Sequence, residues 1–70
     1  MKAGDIIREI VHVGRINQVE IARIIGCRQA SISRIKNNSQ VPSLKMAKEL
    51  VKLAHKFKIK VSIEDIETRD

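Results

Sequence analysis

Seventy residues with a formal charge of +6 make one small, basic domain. A chain this short buries only ~60% of its surface on folding, and with Phe57 its one aromatic residue the core has to be aliphatic. The lone Cys27 excludes an internal disulfide, no apolar run nears the ~20 residues that span a bilayer, and no signal-peptide pattern opens the chain, so a soluble, cytoplasmic protein is expected.

The first predicted helix covers residues 4–13, where Ile6, Ile7, Ile10 and Val11 recur at helical spacing and Val13 lies near the end. Asp5 and Glu9 come early, where the helix dipole favours negative charge, and Gly14 is placed to stop the helix. Its role is structural, and His12 reads as a surface residue because no ligand cluster surrounds it. Gly14, Arg15 and Ile16 connect to a second helix. Asn17 is its predicted cap, with Glu20 three residues on to reach back in a capping box. Ile21, Ala22, Ile24 and Ile25 supply an apolar face, and Gly26 follows where a left-handed residue ends a helix without a Cβ clash. The pattern resumes with Cys27, Ile32 and Ile35, while Arg28, Gln29, Ala30, Ser31, Ser33 and Arg34 between them are mostly short or hydrogen-bonding groups. A helix packed on one side and small and polar on the other fits a DNA major groove. Residues 18–37 are therefore a helix-turn-helix candidate.

Residues 37–41 are rich in polar turn formers, and Pro42 and Ser43 open a fourth helix with Ser43 as cap. One stripe on it holds Leu44, Ala47, Leu50, Val51 and Ala54, and a second beside it holds Met46, Leu50, Leu53 and Phe57. That face is wider than a three-helix core requires; it is either all core, or its edge is a dimer surface. Lys45, Lys48, Lys52 and Lys56 take the other side. The one predicted core joins Ile21, Ala22, Ile25, Cys27, Ile32, Ile35, Leu50 and Val51. In the tail, Phe57, Ile59, Val61 and Ile63 alternate with Lys58, Lys60 and Ser62, a strand-like period, whereas Ser62 with Asp65 three residues later marks a helix start. We read 58–61 as extended and 63–67 as a short helical turn, the alternative being a strand that pairs with its copy in a second subunit. The expected fold is all-α, a bundle of four to five short helices, with residues 1–57 as the binding domain and 58–70 as a tail available for dimerisation.

The run from Gln18 to Ser43 resembles the helix-turn-helix of the Cro and lambda-repressor type, the Xre-like family. The family's pattern is Gln, three residues, Ala, three residues, Gly, an apolar residue, then four residues to Ile or Val. Here those are Gln18, Ala22, Gly26, Cys27 and Ile32, in register, and ISRIKNNSQVPS (Ile32 to Ser43) resembles the family's stretch ending in Pro-Ser. The similarity covers about residues 3–57. Two positions depart from it. Arg28 stands where the family usually has a Ser or Thr cap, and Asn38 replaces the common Gly after the recognition helix, a conformation that Asn also visits.

The charge is unevenly spread. Residues 15–60 hold eleven Lys or Arg against Glu20 and Glu49, a local +9, whereas residues 61–70 sum to −3. A basic band over the motif fits a footprint for phosphates, although charge alone fits a solvated face as well. No glycine-rich phosphate loop, nucleophile-base pair or metal-ligand spacing is present, so neither an enzyme nor a cofactor, metal or small-molecule ligand is expected. Cys27 reads as a small interior hydrophobe, with a redox role open only if its sulfur were exposed beside Arg28. For double-stranded DNA the base-reading set is Gln29, whose amide matches adenine, with Ala30, Ser33 and Arg34. The resemblance implies the same role for Gln29, buttressed by a phosphate-touching Gln18. Arg28, Lys36, Asn37, Asn38, Ser39, Gln40, Ser43 and Lys45 are candidate backbone contacts. The expected function is a small phage- or prophage-like repressor on a palindromic operator, dimeric at least on DNA through Met46, Leu53, Phe57, Ile59, Val61 and Ile63. The competing class is an antitoxin-like module that uses the same fold to bind protein.

Overall fold

The computed structural model describes residues 2–69; Met1 and Asp70, the outer ends of the two predicted segments, lie outside the described residues. Four helices follow in order, α1 (Ala3–Gly14), α2 (Gln18–Ile25), α3 (Gln29–Lys36) and α4 (Leu44–Lys56), then a 3-10 turn at Ile63–Asp65. The fold is all-α, and no strand forms among the described residues. Nor is any described helix long and apolar enough to cross a membrane. Ile6, Ile7 and Ile10 of α1, Ile21 of α2, Ile32 and Ile35 of α3 and Leu50 of α4 are the large side chains fully buried at the centre. Of the predicted core, Ile25, Cys27 and Val51 pack against it while staying partly exposed.

Three residues of the predicted apolar faces are outside. Val13 is 47%, Ile24 51% and Leu44 38% exposed. At about 100° of turn per residue each lies roughly a quarter-turn from the centre of its helix's buried stripe, so spacing put them near the face without putting them on it.

Gly14 does not stop α1. It is the last helical residue, and Arg15 behind it takes the left-handed conformation (φ 54°). What Gly14 provides is room, because a Cβ there would meet the Phe57 ring at 2.8 Å. Gly4 does the same at the other end. A Cβ there would lie 2.7 Å from the Lys36 carbonyl oxygen and 2.8 Å from that of Ile35, so the first turn of α1 rests directly on the last turn of α3. That contact sets the positive end of one helix dipole against the negative end of another.

The tail is folded onto the bundle. Lys58, expected to be extended, is left-handed (φ 61°). The reason is the end of α4: the Lys58 N–H donates to the His55 carbonyl at 3.0 Å and the Ile59 N–H to the Ala54 carbonyl at 2.9 Å, the paired bonds of a Schellman motif. Residues 59–62 then run irregularly into the predicted helix start, where Ser62 and Asp65 form a capping box around a 3-10 turn that covers Ile63–Asp65 and not the expected 63–67. His55 Nε2 lies 2.7 Å from the Val61 carbonyl oxygen. The Ile59 N–H and the Val61 carbonyl, two groups that strand pairing would need, are thus engaged inside the chain.

Candidate nucleic-acid interface

The site is built around α3, which has no room for a second packed face. Ile32 and Ile35 are 0% and 1% exposed and plug it into the core. Their burial leaves Gln29, Ala30 and Arg34 exposed, with Ser33 at the margin. The four predicted base-reading residues therefore share one side of the helix, three of them exposed and Ser33 partly so.

The turn that aims α3 is local chemistry. Asn17 Oδ1 accepts the Glu20 N–H at 2.9 Å and starts α2. The other half of the expected capping box is replaced by an ion pair, with Glu20 Oε1 3.9 Å from the Arg23 guanidinium. Gly26 closes α2 at φ 85°, and its N–H and that of Cys27 both donate to the Ala22 carbonyl, at 2.8 and 2.9 Å. Only glycine adopts that φ without strain. Cys27 packs half-buried behind the turn, and burial pushes its thiol up from the ordinary value. That disfavours the thiolate that redox chemistry requires.

α3 begins on Arg28, whose side chain makes no cap bond, so the departure from the family's Ser or Thr leaves that end uncapped by a side chain. The other end is tied down several ways. Asn38 is left-handed at φ 62°, as its substitution for Gly requires. The Asn38 N–H reaches the Ile35 carbonyl at 3.0 Å and the Ser39 N–H reaches that of Arg34 at 2.9 Å. Ser39 Oγ donates to the same Arg34 oxygen at 3.1 Å, and an Arg8 guanidinium N–H from α1 donates to the Lys36 carbonyl at 3.2 Å.

These bonds sort the predicted backbone contacts. Gln18, Gln29 and Lys36 line one surface concavity together with Val11, Asn17 and Val19, so a backbone candidate from α2 and two residues of α3 do meet. Asn38 and Gln40 line a second concavity with Lys2, Gly4, Pro42 and Glu67. Arg28, Asn37 and Lys45 stand exposed. Ser43 Oγ accepts the Met46 N–H at 3.3 Å to cap α4, which leaves its own O–H as a donor. Ser39 is exposed, and both its hydroxyl and its amide donate to the Arg34 carbonyl, so it closes α3. Sequence reasoning missed Arg8 and Asn17 at this edge. Arg8 was legible only as half of its i,i+3 pair with Asp5, 3.7 Å apart.

The residues proposed for self-association divide. Leu53 and Val61, at 3% and 8% exposed, are spent inside the chain and have left the surface; Met46, Phe57, Ile59 and Ile63 are partly buried against the same core. Among the described residues no group of three or more His, Cys, Asp or Glu side chains converges to hold a metal.

A sequence model described as helix-turn-helix matches residues 15–63, from the residue before Ile16 through the first residue of the 3-10 turn. No curated protein and no solved structure matches the chain.

Proposed function

Because the chain belongs to the helix-turn-helix family of the Cro and Xre type, a family of DNA-binding transcription regulators, we propose that it reads a specific duplex sequence with α3 and acts in the cytoplasm as a small phage- or prophage-like repressor. The observation that carries this reading is the division of α3: Ile32 and Ile35 buried in the core, Gln29, Ala30 and Arg34 exposed. Gln29 pairs with adenine through its amide, Ala30 leaves room for the backbone and meets a thymine methyl, Ser33 hydrogen-bonds a base edge, and Arg34 reads guanine or grips the backbone. Gln18, Arg28, Lys36, Asn37, Asn38, Gln40, Ser43 and Lys45 surround that face and position it on phosphates.

The operator is palindromic and bound by a homodimer. One recognition helix covers too few base pairs to select a site against a genome's competing sequence. The domain presents one recognition helix, and successive major-groove half-sites lie ~34 Å apart, so a second copy is needed to read both. With Leu53 and Val61 taken inside, the seam falls to Met46, Phe57, Ile59 and Ile63, supplemented by Val41 and Leu44, which are 36% and 38% exposed around the start of α4.

Selection from a pool of random duplexes tests both parts. The expected result is enrichment of a two-fold symmetric sequence, bound by two chains in sedimentation, with log affinity falling linearly in log salt. Failure to enrich any sequence overturns specific recognition. A one-to-one complex that stays tight on a half-site overturns the dimer.

A further inference from the structure

Residues 64–69 lie past the stretch that the helix-turn-helix model matches, and they are folded against the domain. Ile66 is 6% exposed and anchors them in the core. Three residues on, the Arg69 N–H donates to the Pro42 carbonyl at 2.9 Å. The tail thus lies as a strap against the loop between α3 and α4. Between those two anchors stands Glu67, exposed, lining the same concavity as Lys2, Asn38, Gln40 and Pro42. The strap therefore sets a carboxylate at the edge of a loop whose neighbours, under the DNA reading, face phosphates.

Resting on that reading, we propose that Glu67 is an electrostatic governor of DNA binding, a fixed negative charge that lowers affinity for every duplex alike. The fold makes the placement specific. Residues 15–60 carry a local +9, and nonspecific attraction grows with each phosphate neutralised. A charge held by the Ile66 and Arg69 anchors opposes that attraction at a fixed point. Lys2, exposed in the same concavity, offsets it in part. Because Glu67 lies at the loop and not on the outward side of α3, it acts on the backbone grip and leaves base discrimination alone.

The test compares the full chain with Glu67→Gln, Glu67→Lys and, as control, Glu64→Gln on the 3-10 turn. Each is titrated against the selected duplex and a random-sequence duplex at about 50 and about 200 mM salt. Glu67→Gln should bind both duplexes about two- to fourfold more tightly at the lower salt, with the gain shrinking at the higher salt as screening shortens. Glu67→Lys should gain more, and Glu64→Gln less than Glu67→Gln. The ratio of selected to random affinity should stay put. Unaltered or weaker binding by Glu67→Gln, from a chain whose wild type binds DNA, overturns this proposal alone. Absence of duplex binding by the wild type overturns the DNA reading and this proposal together.

Discussion

Helices α3 and α4 follow one another in the chain and are secured by different means. α4 has 13 residues, a Ser43 cap, and a buried stripe of Ala47, Leu50, Leu53 and Ala54. α3 has eight residues, no side-chain cap, and only Ile32 and Ile35 buried. A helix that short is not stable alone in water. Its outward side faces away from the core, so packing cannot make up the deficit there. What holds it, beyond the Ile32 and Ile35 plugs, is its C-terminal end, where Asn38, Ser39, the Arg8 guanidinium and the first turn of α1 converge on its last carbonyls. The difference teaches that a surface kept free for DNA is stabilised from its rim, and that residues far from any base contact govern whether it forms.

The sharpest way to break this comparison is to add one carbon at each of two glycines. In Gly4→Ala the new methyl meets the backbone oxygens of Lys36 and Ile35 at 2.7 and 2.8 Å. Backbone cannot swing aside, so α1 and α3 must separate, at an expected cost of ~1–3 kcal/mol in urea unfolding. In Gly14→Ala the nearest atoms that the methyl meets are the outer atoms of the Phe57 ring, at 2.8–3.0 Å. The ring can rotate away, and better helix propensity returns up to about 1 kcal/mol, leaving a nearly neutral change. Equal stability losses in the two variants would mean that the end of α3 is not held by α1.

A smaller effect sharpens the comparison at the opposite ends of the helices. Ser43→Ala removes the α4 cap and should cost ~1 kcal/mol. Arg28→Ser supplies α3 with the cap it lacks and should gain a similar or smaller amount, about 0.5–1 kcal/mol. The same change removes a cation beside the DNA face, so thermal stability should rise while duplex affinity falls. If both move together, the start of α3 is already satisfied as it stands.

How much of this the sequence discloses follows from the range of each interaction. The Asn17 cap, the Gly26 turn, the Ile32–Ile35 plugs, the Ser43 cap and the Ser62–Asp65 box all act within a few residues, and their spacing is readable. Asn38 at a left-handed position is legible for the same reason. The close approaches at Gly4 and Gly14, the Arg8 bond to Lys36, and the Arg69 bond to Pro42 join residues distant in the chain, where no local pattern points to the partner. Apolar surplus on α4 reads equally as interface or core, and tertiary packing took Leu53 and Val61 for the core. On the site, the outward set of α3 was visible because two buried isoleucines fix the rest of an eight-residue helix. The Ser39 bond to the Arg34 carbonyl was not legible, because a serine at a polar turn looks like a free donor until that carbonyl is placed beside it.

The central claim is that α3 reads bases while the rim around it grips phosphates. The most direct test measures selected-to-random affinity ratios for Gln29→Ala, on α3, and Lys45→Ala, at the start of α4. Gln29→Ala should narrow the ratio by ~1–3 kcal/mol. Lys45→Ala should weaken both duplexes equally, keep the ratio, and reduce the salt slope by about 0.9. A ratio that survives Gln29→Ala unchanged, or collapses in Lys45→Ala, would contradict the division of labour between the two helices.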